Sequence, residues 1–280
     1  MQRKTKTLQG GFMIKEIASK DNFMIKRIKQ LEHKKYRDKY NLFLLEGPHL
    51  IEEALKNDVM LNYIVYSDSF IKDPYQEELI SFLCEKYNTI YNVSDSLFEY
   101  IADTESPQGI IAAAVKPNDD FEEILKDSSS SVVVLDRIQD PGNMGTIIRT
   151  ADAAGIQGII SIKGSVDFFN SKTVRAAAGS FFRIPLFQIN VEYQLIDLLT
   201  KYEKNIIATS PKAEKYYYDL PIFENYALII GNEANGVSEA LLDCADYRVK
   251  IPMLRDTESL NASVAASIII YEMVRKKMDT

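Results

Sequence analysis

The sequence is poor in the residues from which disulfide frameworks and most metal sites are built. It has two cysteines and two histidines among 280 residues. Cys84 and Cys244 lie far apart and belong to no Cys-x-x-Cys or Cys/His grouping. This excludes a disulfide framework and a zinc knuckle, and it makes a reduced, cytoplasmic setting the default expectation. Because His33 and His49 are the only histidines, we expect no His-based metal site and no serine-type triad.

Long apolar runs and dinucleotide fingerprints are also missing. No stretch approaches the roughly 20 apolar residues that a membrane span needs, and the longest candidates, such as Ser131–Leu135, have the length of a strand. The absence of Gly-x-Gly-x-x-Gly argues against a nucleotide-dependent oxidoreductase on a doubly wound sheet. The first twelve residues contain basic residues but no following apolar core, unlike a secretory signal. Residues 1–12 are predicted to be a flexible extension.

Charge is distributed unevenly along the chain. The net charge of −7 does not suggest a nucleic-acid-binding protein, but residues 1–41 hold twelve Lys/Arg against four Asp/Glu. This local balance of +8 leaves −15 for the remainder. A basic arm on an acidic body is compatible with phosphate contacts. A solvated helix face without a partner is the alternative.

The apolar patterns predict two α/β domains. In residues 13–116, a helical pattern over 21–40 precedes alternating strand and helix patterns, as in a small α/β domain. The polar stretch 117–130 is predicted to be a linker with one short helical piece at Phe121–Leu125. In residues 131–280, the repeated strand–helix order predicts a mostly parallel sheet with helices on both faces.

The positions of individual elements follow from the same patterns. In the first domain we predict strands over 42–47, 61–66 and 109–115, and helices beginning at Pro48 and over 75–87. In the second we predict strands over 132–135, 158–162, 184–187, 206–208, 227–230 and 248–251, and helices over 146–154, 171–178, 193–202 and 261–277.

The first candidate loop follows the strand that ends at Leu135. It contains Pro-Gly-Asn143-Met-Gly and leads into a helix. The N-terminus of such a helix offers unpaired backbone N–H groups and the positive end of the dipole, which suit an anion or an RNA phosphate. Arg149 lies in that helix, where we expect it to face the same place. A plain strand–helix turn with a solvated arginine is the alternative.

The second candidate loop, Gly231–Gly236, follows another apolar strand and contains one carboxylate, Glu233. Its Gly-x₄-Gly spacing is that of a phosphate loop, but Val237 and Ser238 stand where Lys-Ser/Thr is required. The Walker interpretation therefore fails. Backbone amides together with Glu233 could instead hold an uncharged adenosine moiety.

The third candidate segment runs from Ile251-Pro-Met253 to Ser259-Leu-Asn261-Ala-Ser263. Ser259 or Asn261 is placed to cap the final predicted helix, which is the usual role of these residue types there. The small residues that follow permit close approach of another backbone or of a ligand.

Together, and in this order, the three segments resemble the SpoU/TrmH family of RNA ribose 2′-O-methyltransferases, in the SPOUT class. The matching residues are Asn143 with Arg149-Thr-Ala, Gly231-x-Glu233-x-x-Gly236, Ile251-Pro-Met253, and Ser259-Leu-Asn-x-Ser-x-Ala265. The first domain is similar to the accessory domain of two-domain members that modify ribosomal RNA, an α/β module like certain ribosomal proteins. The residues that carry this similarity are Tyr36-Arg-Asp38, Phe43–Gly47 and Ser106–Gly109.

The resemblance implies a fold, a cofactor and partners. It implies a SPOUT methyltransferase domain over 131–280 with a deep trefoil knot, an RNA substrate-binding domain over 13–116, and a cytoplasmic homodimer with active sites at the subunit interface. S-adenosyl-L-methionine is the implied methyl donor, and no metal is needed. The implied donor-binding residues are Thr209, Gly231, Glu233, Gly236, Ile251, Met253, Leu260 and Ser263.

The candidate catalytic residues are Arg149, Asn143, Glu233, Ser259 and Asn261. Because an arginine is normally fully protonated, stabilisation of a developing alkoxide is an easier role for Arg149 than general-base catalysis. Asn143, Ser259 and Asn261 are expected to orient substrate and donor, and Glu233 to fix its loop or Arg149. Candidate RNA contacts are Lys34, Lys35, Arg37, Lys172 and Arg175.

Several alternatives stay open at this stage. They are a noncatalytic RNA-binding or ribosome-assembly protein, a base methyltransferase of the wider knotted class, and a ribose methyltransferase that acts on transfer RNA. The intact set of Asn143, Arg149, Glu233 and Asn261 argues against the first. Ribosomal RNA, 23S above all, is favoured over transfer RNA only by the likeness of the accessory domain.

Overall fold

A computed structural model describes residues 5–7, 13–87, 89–255 and 259–279. The chain divides into two compact units, of which unit 1 comprises Met1–Pro117 with Phe169–Ser171 and unit 2 comprises the remaining residues. Within the segment 1–12, only Thr5–Thr7 is described, and it forms a strand paired antiparallel with the strand that begins at Met13. The rest of that segment lies outside the described residues.

Unit 1 is built on a mixed six-stranded sheet with strand order β1-β2-β5-β4-β6-β3. Its strands are β1 (Thr5–Thr7), β2 (Met13–Ile17), β3 (Leu42–Glu46), β4 (Leu61–Ser67), β5 (Thr89–Val93) and β6 (Ile110–Val115). Its helices are α1 (Phe23–Gln30), α2 (Lys34–Tyr40), α3 (Pro48–Lys56), α4 (Pro74–Lys86) and α5 (Asp95–Ile101). The pairs β2–β5 and β4–β5 are parallel, and the others are antiparallel.

The first predicted helical segment, 21–40, is two helices. Asn22 caps α1 by accepting a hydrogen bond from the Met24 backbone N–H. After a turn, α2 ends at Asn41, whose φ of 53° is left-handed, a conformation that asparagine tolerates. The apolar face of α1 packs into a core that includes Leu44 and Phe98. Elements β2, β5 and α5 lie outside the sequence-based predictions.

Unit 2 is built on a seven-stranded sheet of order β11-β13-β10-β12-β7-β8-β9, and all its pairings are parallel. Its strands are β7 (Ser131–Asp136), β8 (Gly158–Ile162), β9 (Leu186–Ile189), β10 (Asn205–Thr209), β11 (Lys215–Tyr216), β12 (Tyr226–Gly231) and β13 (Tyr247–Lys250). Its helices are α6 (Phe121–Lys126), α7 (Pro141–Ala153), α8 (Ser171–Ala177, whose first residue clusters with unit 1), α9 (Glu192–Lys201), α10 (Glu239–Asp243) and α11 (Ala262–Met278). Two 3₁₀ turns, Ala178–Phe182 and Tyr217–Asp219, complete it.

The predicted α/β fold with a parallel sheet is confirmed. Strands β7 and β8 are buried along their whole length, as expected of parallel strands covered on both faces. Their side chains form one core with the neighbouring strands, represented by Val134, Ile160, Ala208 and Ile229. The knot implied by the family resemblance stays a prediction. Among the described residues, no helix combines the length and the apolar character needed to cross a membrane.

The start of α7 corrects one prediction. The helix begins at Pro141, five residues before the predicted Thr146, so Asn143 lies in its first turn and not in a loop. Asp140 caps this end by accepting a hydrogen bond from the Asn143 backbone N–H at 2.7 Å. Gly145 is needed within this helix for packing, because a Cβ there would lie 2.4 Å from the Ala176 Cβ. Glycine therefore permits close packing where its intrinsic propensity suggested a break.

Candidate active site

The candidate residues for donor binding gather at the carboxyl edge of the unit 2 sheet. Gly231, the last residue of β12, is paired with Asp136 of β7. In the register of β10 against β12, Ala208 is paired with Ile229, so Thr209 lies one residue short of the position opposite Gly231. Strand β13, next to β10, ends at residue 250, so Ile251 follows directly. Open parallel sheets bind their ligands at this edge.

A chain of side-chain hydrogen bonds joins the three segments singled out from the sequence. The Asn143 amide nitrogen donates to Glu233 Oε1 at 2.6 Å, and the Asn261 amide nitrogen donates to Asn143 Oδ1 at 2.9 Å. Asn143 is buried, whereas Glu233 and Asn261 are exposed. The buried amide thus links the first turn of α7 to the loop after β12 and to the start of α11.

Asn261 is the N-cap of α11, as one interpretation of its position predicted. Its Oδ1 accepts hydrogen bonds from the Ser263 and Val264 backbone N–H groups and from Ser263 Oγ, the last at 2.7 Å. With the oxygen engaged in capping, its amide nitrogen is directed to Asn143. One side chain therefore serves both the helix and the hydrogen-bond chain.

The loop 231–236 is held in a tight turn by its own backbone and by Asn232. The N–H of Asn232 donates to the Gly236 carbonyl at 3.1 Å, and the N–H of Gly236 donates to the Asn232 carbonyl at 2.8 Å. A Cβ on Gly231 would lie 2.2 Å from the Gly236 carbonyl carbon. Gly236 itself has a φ of +68°, which favours glycine. Both glycines of the motif are thus required by local geometry.

Asp136 fixes the neighbouring strand end. Its side chain is fully buried, and it accepts hydrogen bonds from Arg137 Nε at 2.8 Å, from Arg137 Nη2 at 3.0 Å and from the Ser238 backbone N–H at 2.7 Å. These bonds tie β7 to the residue that precedes α10. Because Arg137 donates these hydrogen bonds to the Asp136 carboxylate, the pKa of its guanidinium is raised.

Arg149 lies on the same helix as Asn143 but is not brought into the hydrogen-bond chain. It is exposed, and no residue in the described ranges forms a hydrogen bond or an ion pair with it. The next residue, Thr150, lies with its hydroxyl 3.0 Å from the Ser267 hydroxyl of α11. Helix α7 is thereby fixed to α11, and the Arg149 side chain is left available to solvent.

The other candidate donor-binding residues lie close to the same edge. Thr209 Oγ1 donates to the Ile229 carbonyl at 3.1 Å. Met253 is exposed in the loop after β13, while Leu260 is half-buried beside the α11 cap. Ser259 is exposed, and its side chain forms no hydrogen bond with any part of the chain that the structure describes. Residues 256–258 lie outside the described ranges.

The structure corrects one of the candidate RNA contacts. Arg37 is only 4 % exposed, and its Nη1 donates to the Leu31 carbonyl at 2.8 Å and to the Glu32 carbonyl at 2.7 Å. It connects α1 to α2 and is not placed as a phosphate contact. Lys34 and Lys35 are exposed.

The candidate RNA contacts of unit 2 lie on α8. Lys172 is exposed and Arg175 is half-buried. Among the described residues, no group of three or more His, Cys, Asp or Glu side chains is arranged to hold a metal ion.

Sequence reasoning missed Asp136, Asp140 and Asn232, which set the geometry around the motif residues. Asn232 Nδ2 donates to the Arg137 carbonyl at 2.9 Å, and its Oδ1 accepts from the backbone of its own loop. A signal was present, because each is an Asp or Asn at the end of a strand or immediately before a helix, where such residues cap and brace turns.

Comparison with known proteins agrees with this arrangement. The profile of the SpoU rRNA Methylase family matches residues 130–271, and that of the MRM3-like substrate binding domain matches residues 22–112. The chain is 38% identical over 260 residues to the 23S rRNA (guanosine(2553)-2′-O)-methyltransferase RlmP of Bacillus subtilis, covering 93% of this chain and 99% of that protein. It is 30% identical to a putative TrmH family tRNA/rRNA methyltransferase of Staphylococcus aureus, covering 84% of this chain and 97% of that protein.

Solved structures of similar proteins include two with bound AdoMet. The rRNA methyltransferase of Sinorhizobium meliloti is 30% identical with a TM-score of 0.81, and the match covers 94% of this chain and 98% of that one. The SpoU methyltransferase AviRb of Streptomyces viridochromogenes is 27% identical with a TM-score of 0.84, and the match covers 92% and 98%. The ordered motifs, the parallel sheet and these similarities lead to one conclusion: the chain belongs to the SpoU rRNA methylase family.

Proposed function

We propose that this protein transfers a methyl group from S-adenosyl-L-methionine to a ribose 2′-hydroxyl of structured RNA, with 23S ribosomal RNA the favoured substrate. The observation that carries the proposal is the hydrogen-bond chain from Glu233 through Asn143 to Asn261. It joins the three motif segments in one place beside the carboxyl edge of the sheet. The relative from Bacillus subtilis is named for this reaction on 23S rRNA.

The carboxyl edge suits the methyl donor. Three adjacent parallel strands end there at Thr209, Gly231 and residue 250. The tight turn that follows Gly231 brings backbone N–H and C=O groups together, and such groups match the edge of an adenine without requiring charge. We assign donor binding to this turn, to Ile251 and Met253, and to Leu260 and Ser263 near the start of α11. When bound, the donor supplies an electrophilic sulfonium methyl.

The remaining requirements are alignment of the acceptor and loss of its hydroxyl proton. Arg149 is the candidate catalytic residue, because it is the cationic motif residue whose side chain is exposed on α7. Its charge would stabilise the developing alkoxide. Asn143, Glu233 and Asn261 are positioning residues, since their polar atoms hold the motif segments together. Ser259, exposed before the α11 cap, is assigned to substrate orientation.

Substitution of Arg149 tests the assignment. Arg149→Ala should bind the donor normally in calorimetric titration and lose about a hundredfold or more in methyl transfer, the scale expected for loss of one electrostatic stabiliser. Arg183→Ala is a matched control, because that arginine is partly exposed and forms an ion pair with Asp152. Wild-type methyl transfer by Arg149→Ala would overturn the assignment.

The acceptor atom is tested by alkaline cleavage. Methylation of a 2′-hydroxyl makes one position of the RNA resistant to alkali, whereas methylation of a base does not. Total RNA from cells with and without this protein should differ at one resistant position, in 23S rRNA. If the resistant position lay in transfer RNA, transfer RNA and not 23S rRNA would be the substrate. Methyl transfer without alkali resistance would indicate a base methyltransferase. Absence of donor binding would favour a noncatalytic assembly factor.

Because ribosomal RNA lies in the bacterial cytoplasm, we assign the protein to that compartment.

We also propose that two copies form a homodimer through α11. Val264, Ile268 and Tyr271 recur at helical spacing, and Val264 and Tyr271 are exposed large apolar side chains. Such a stripe is typical of a helix that packs on a partner. Sedimentation equilibrium should give a dimer for the wild type and a monomer for Tyr271→Asp. A monomeric wild type would refute this.

A further inference from the structure

A column of stacked planar groups lies across α1 and α2 in unit 1. The Arg27 guanidinium carbon is 3.4 Å from the centre of the Tyr40 ring and 4.7 Å from that of Phe23. Tyr40 in turn stacks on Tyr36, with ring centres 6.0 Å apart and an interplanar angle of 14°. We call these four residues the α1–α2 stack.

One end of the α1–α2 stack is open to solvent. Phe23 is 62% exposed, while the core face of α1 is formed by Met24, Ile25 and Ile28. The phenyl ring therefore contributes little to the core. Its exposed face is the kind of platform on which a planar ligand stacks.

Two lysines beside the α1–α2 stack form no ion pair in the described ranges. Lys35 Nζ lies 6.0 Å from the Tyr36 ring centre and Lys39 Nζ lies 5.3 Å from the Tyr40 ring centre. Neither lysine, nor Arg27, forms an ion pair with a carboxylate in the described ranges. Arg27 Nε is buried without a hydrogen-bond partner there. This face thus attracts anions while presenting aromatic surface.

A second aromatic platform lies at the other edge of the solvent-facing side of α1. Tyr100 of α5 is 42% exposed, and the Nζ atoms of Lys20 and Lys29 lie 4.4 and 5.4 Å from its ring centre. Residues two apart on a helix point about 200° apart, so Arg27 and Lys29 flank α1. Phe23, a member of the α1–α2 stack, lies between Arg27 and Lys29 on the solvent-facing arc of α1, about 40° from Arg27 and about 120° from Lys29.

We propose that this face of unit 1 binds unpaired nucleotides of the RNA substrate, with bases stacked on Phe23 and Tyr100 and phosphates beside Lys35 and Lys39. Alternating aromatic and basic groups are how proteins hold single-stranded segments, because every base has a π-face. A base inside a duplex is already stacked and does not offer that face. The proposal rests on the proposed function in taking RNA as the substrate, and it specifies a loop or bulge as the bound element.

Binding of two labelled RNAs tests this. One is a hairpin with an unpaired loop, and the other is the same stem as a blunt duplex. Phe23→Ala should weaken hairpin binding about tenfold, within the range of loss of one base–aromatic stack, and leave duplex binding unchanged. Phe23→Trp should retain hairpin affinity. Lys39→Gln should weaken both RNAs and reduce the salt dependence.

Phe82→Ala is the matched control, because Phe82 is a 48% exposed phenylalanine on α4 of the same unit. It should bind both RNAs as the wild type does. Phe23→Leu keeps an apolar side chain without the π-face, so it should reproduce the Phe23→Ala loss with an unchanged thermal midpoint. Unchanged hairpin affinity in Phe23→Leu, or an equal loss for the duplex, would overturn the proposal.

The same proteins separate the two proposals. If donor binding and methyl transfer fail while Phe23→Leu still selectively weakens hairpin binding, the proposed function falls and the stacking surface stands. If methyl transfer occurs and hairpin binding does not depend on Phe23, only the stacking surface falls. If the wild type binds neither RNA and also transfers no methyl group to RNA, both proposals fail.

Discussion

Replacing Gly231 by alanine adds one methyl group where the structure has no room for it. The new Cβ would lie 2.2 Å from the Gly236 carbonyl carbon and from the Val237 nitrogen, and 2.6 Å from the Gly236 oxygen. All three are backbone atoms, so no change of rotamer relieves the overlap. The chain from Gly236 to Val237 must move by about 1 Å or more to restore van der Waals contact.

The size of that movement determines how much the free energy of unfolding falls. Inserting a methyl group into a well-packed place costs roughly 1–3 kcal/mol. Moving the loop also disrupts the two backbone hydrogen bonds between Asn232 and Gly236, each contributing about 0.5–1.5 kcal/mol. We expect Gly231→Ala to lower the free energy of unfolding by roughly 2–6 kcal/mol, which corresponds to a fall of about 4–24 °C in Tm. Donor affinity should fall as well, because the displaced backbone lines the proposed donor site.

Two other glycines serve as controls. Gly155 and Gly236 have φ values of +71° and +68°, and a Cβ on either meets nothing within 4 Å. Alanine there adds only the left-handed penalty of roughly 1–2 kcal/mol. Thermal unfolding should therefore rank Gly231→Ala as the most damaging of the three. In calorimetric titration with S-adenosyl-L-methionine, Gly155→Ala, which lies outside the proposed donor site, should keep wild-type affinity. Wild-type stability and donor affinity in Gly231→Ala would refute the reasoning.

Two further predictions concern buried cations. Arg37→Ala should lower the free energy of unfolding by about 1–3 kcal/mol, because the buried Leu31 carbonyl loses a donor; Arg37→Lys should not restore it, and an unchanged urea midpoint would contradict this. Lys204 donates to the carbonyls of Asp127 and Ser130, and burial lowers its pKa from 10.5 to about 8. The unfolded chain therefore binds more protons between these pH values, so wild-type stability relative to Lys204→Met should rise across that window; a flat difference in urea titrations would refute it.

The parallel sheet of unit 2 could be predicted because its strands are nearly continuous apolar runs separated by helical patterns. Val132–Leu135 has no polar face, which suits a strand covered on both sides. The motif residues Asn143, Glu233 and Asn261 were also identifiable, since their spacing is a family pattern. The hydrogen bonds that bring them together join residues far apart in the sequence, so no local sequence pattern predicts them.

The failures have particular physical causes. The sequence pattern places the start of α7 too late because two glycines reduce helix propensity. In the structure the helix starts earlier, at the Asp140 cap, and Gly145 packs closely against Ala176. Arg37 looked like a surface cation because it lies in a basic segment. Its burial depends on the turn between α1 and α2, which directs two carbonyls at it. Asp136 was overlooked because its partners are distant in sequence.

Helix α7 carries Asn143 near its start and Arg149 six residues later. In a regular helix this separation is about 9 Å along the axis and about 240° around it. Asn143, which joins the motif segments, and Arg149, which is assigned to the acceptor, thus lie on one helix. Their relative distance and direction are therefore set by the geometry of that helix. Inserting a single alanine between them would rotate Arg149 by about 100°. The same insertion would turn the buried Ala151 away from the core, so the direction of Arg149 and the packing of α7 change together.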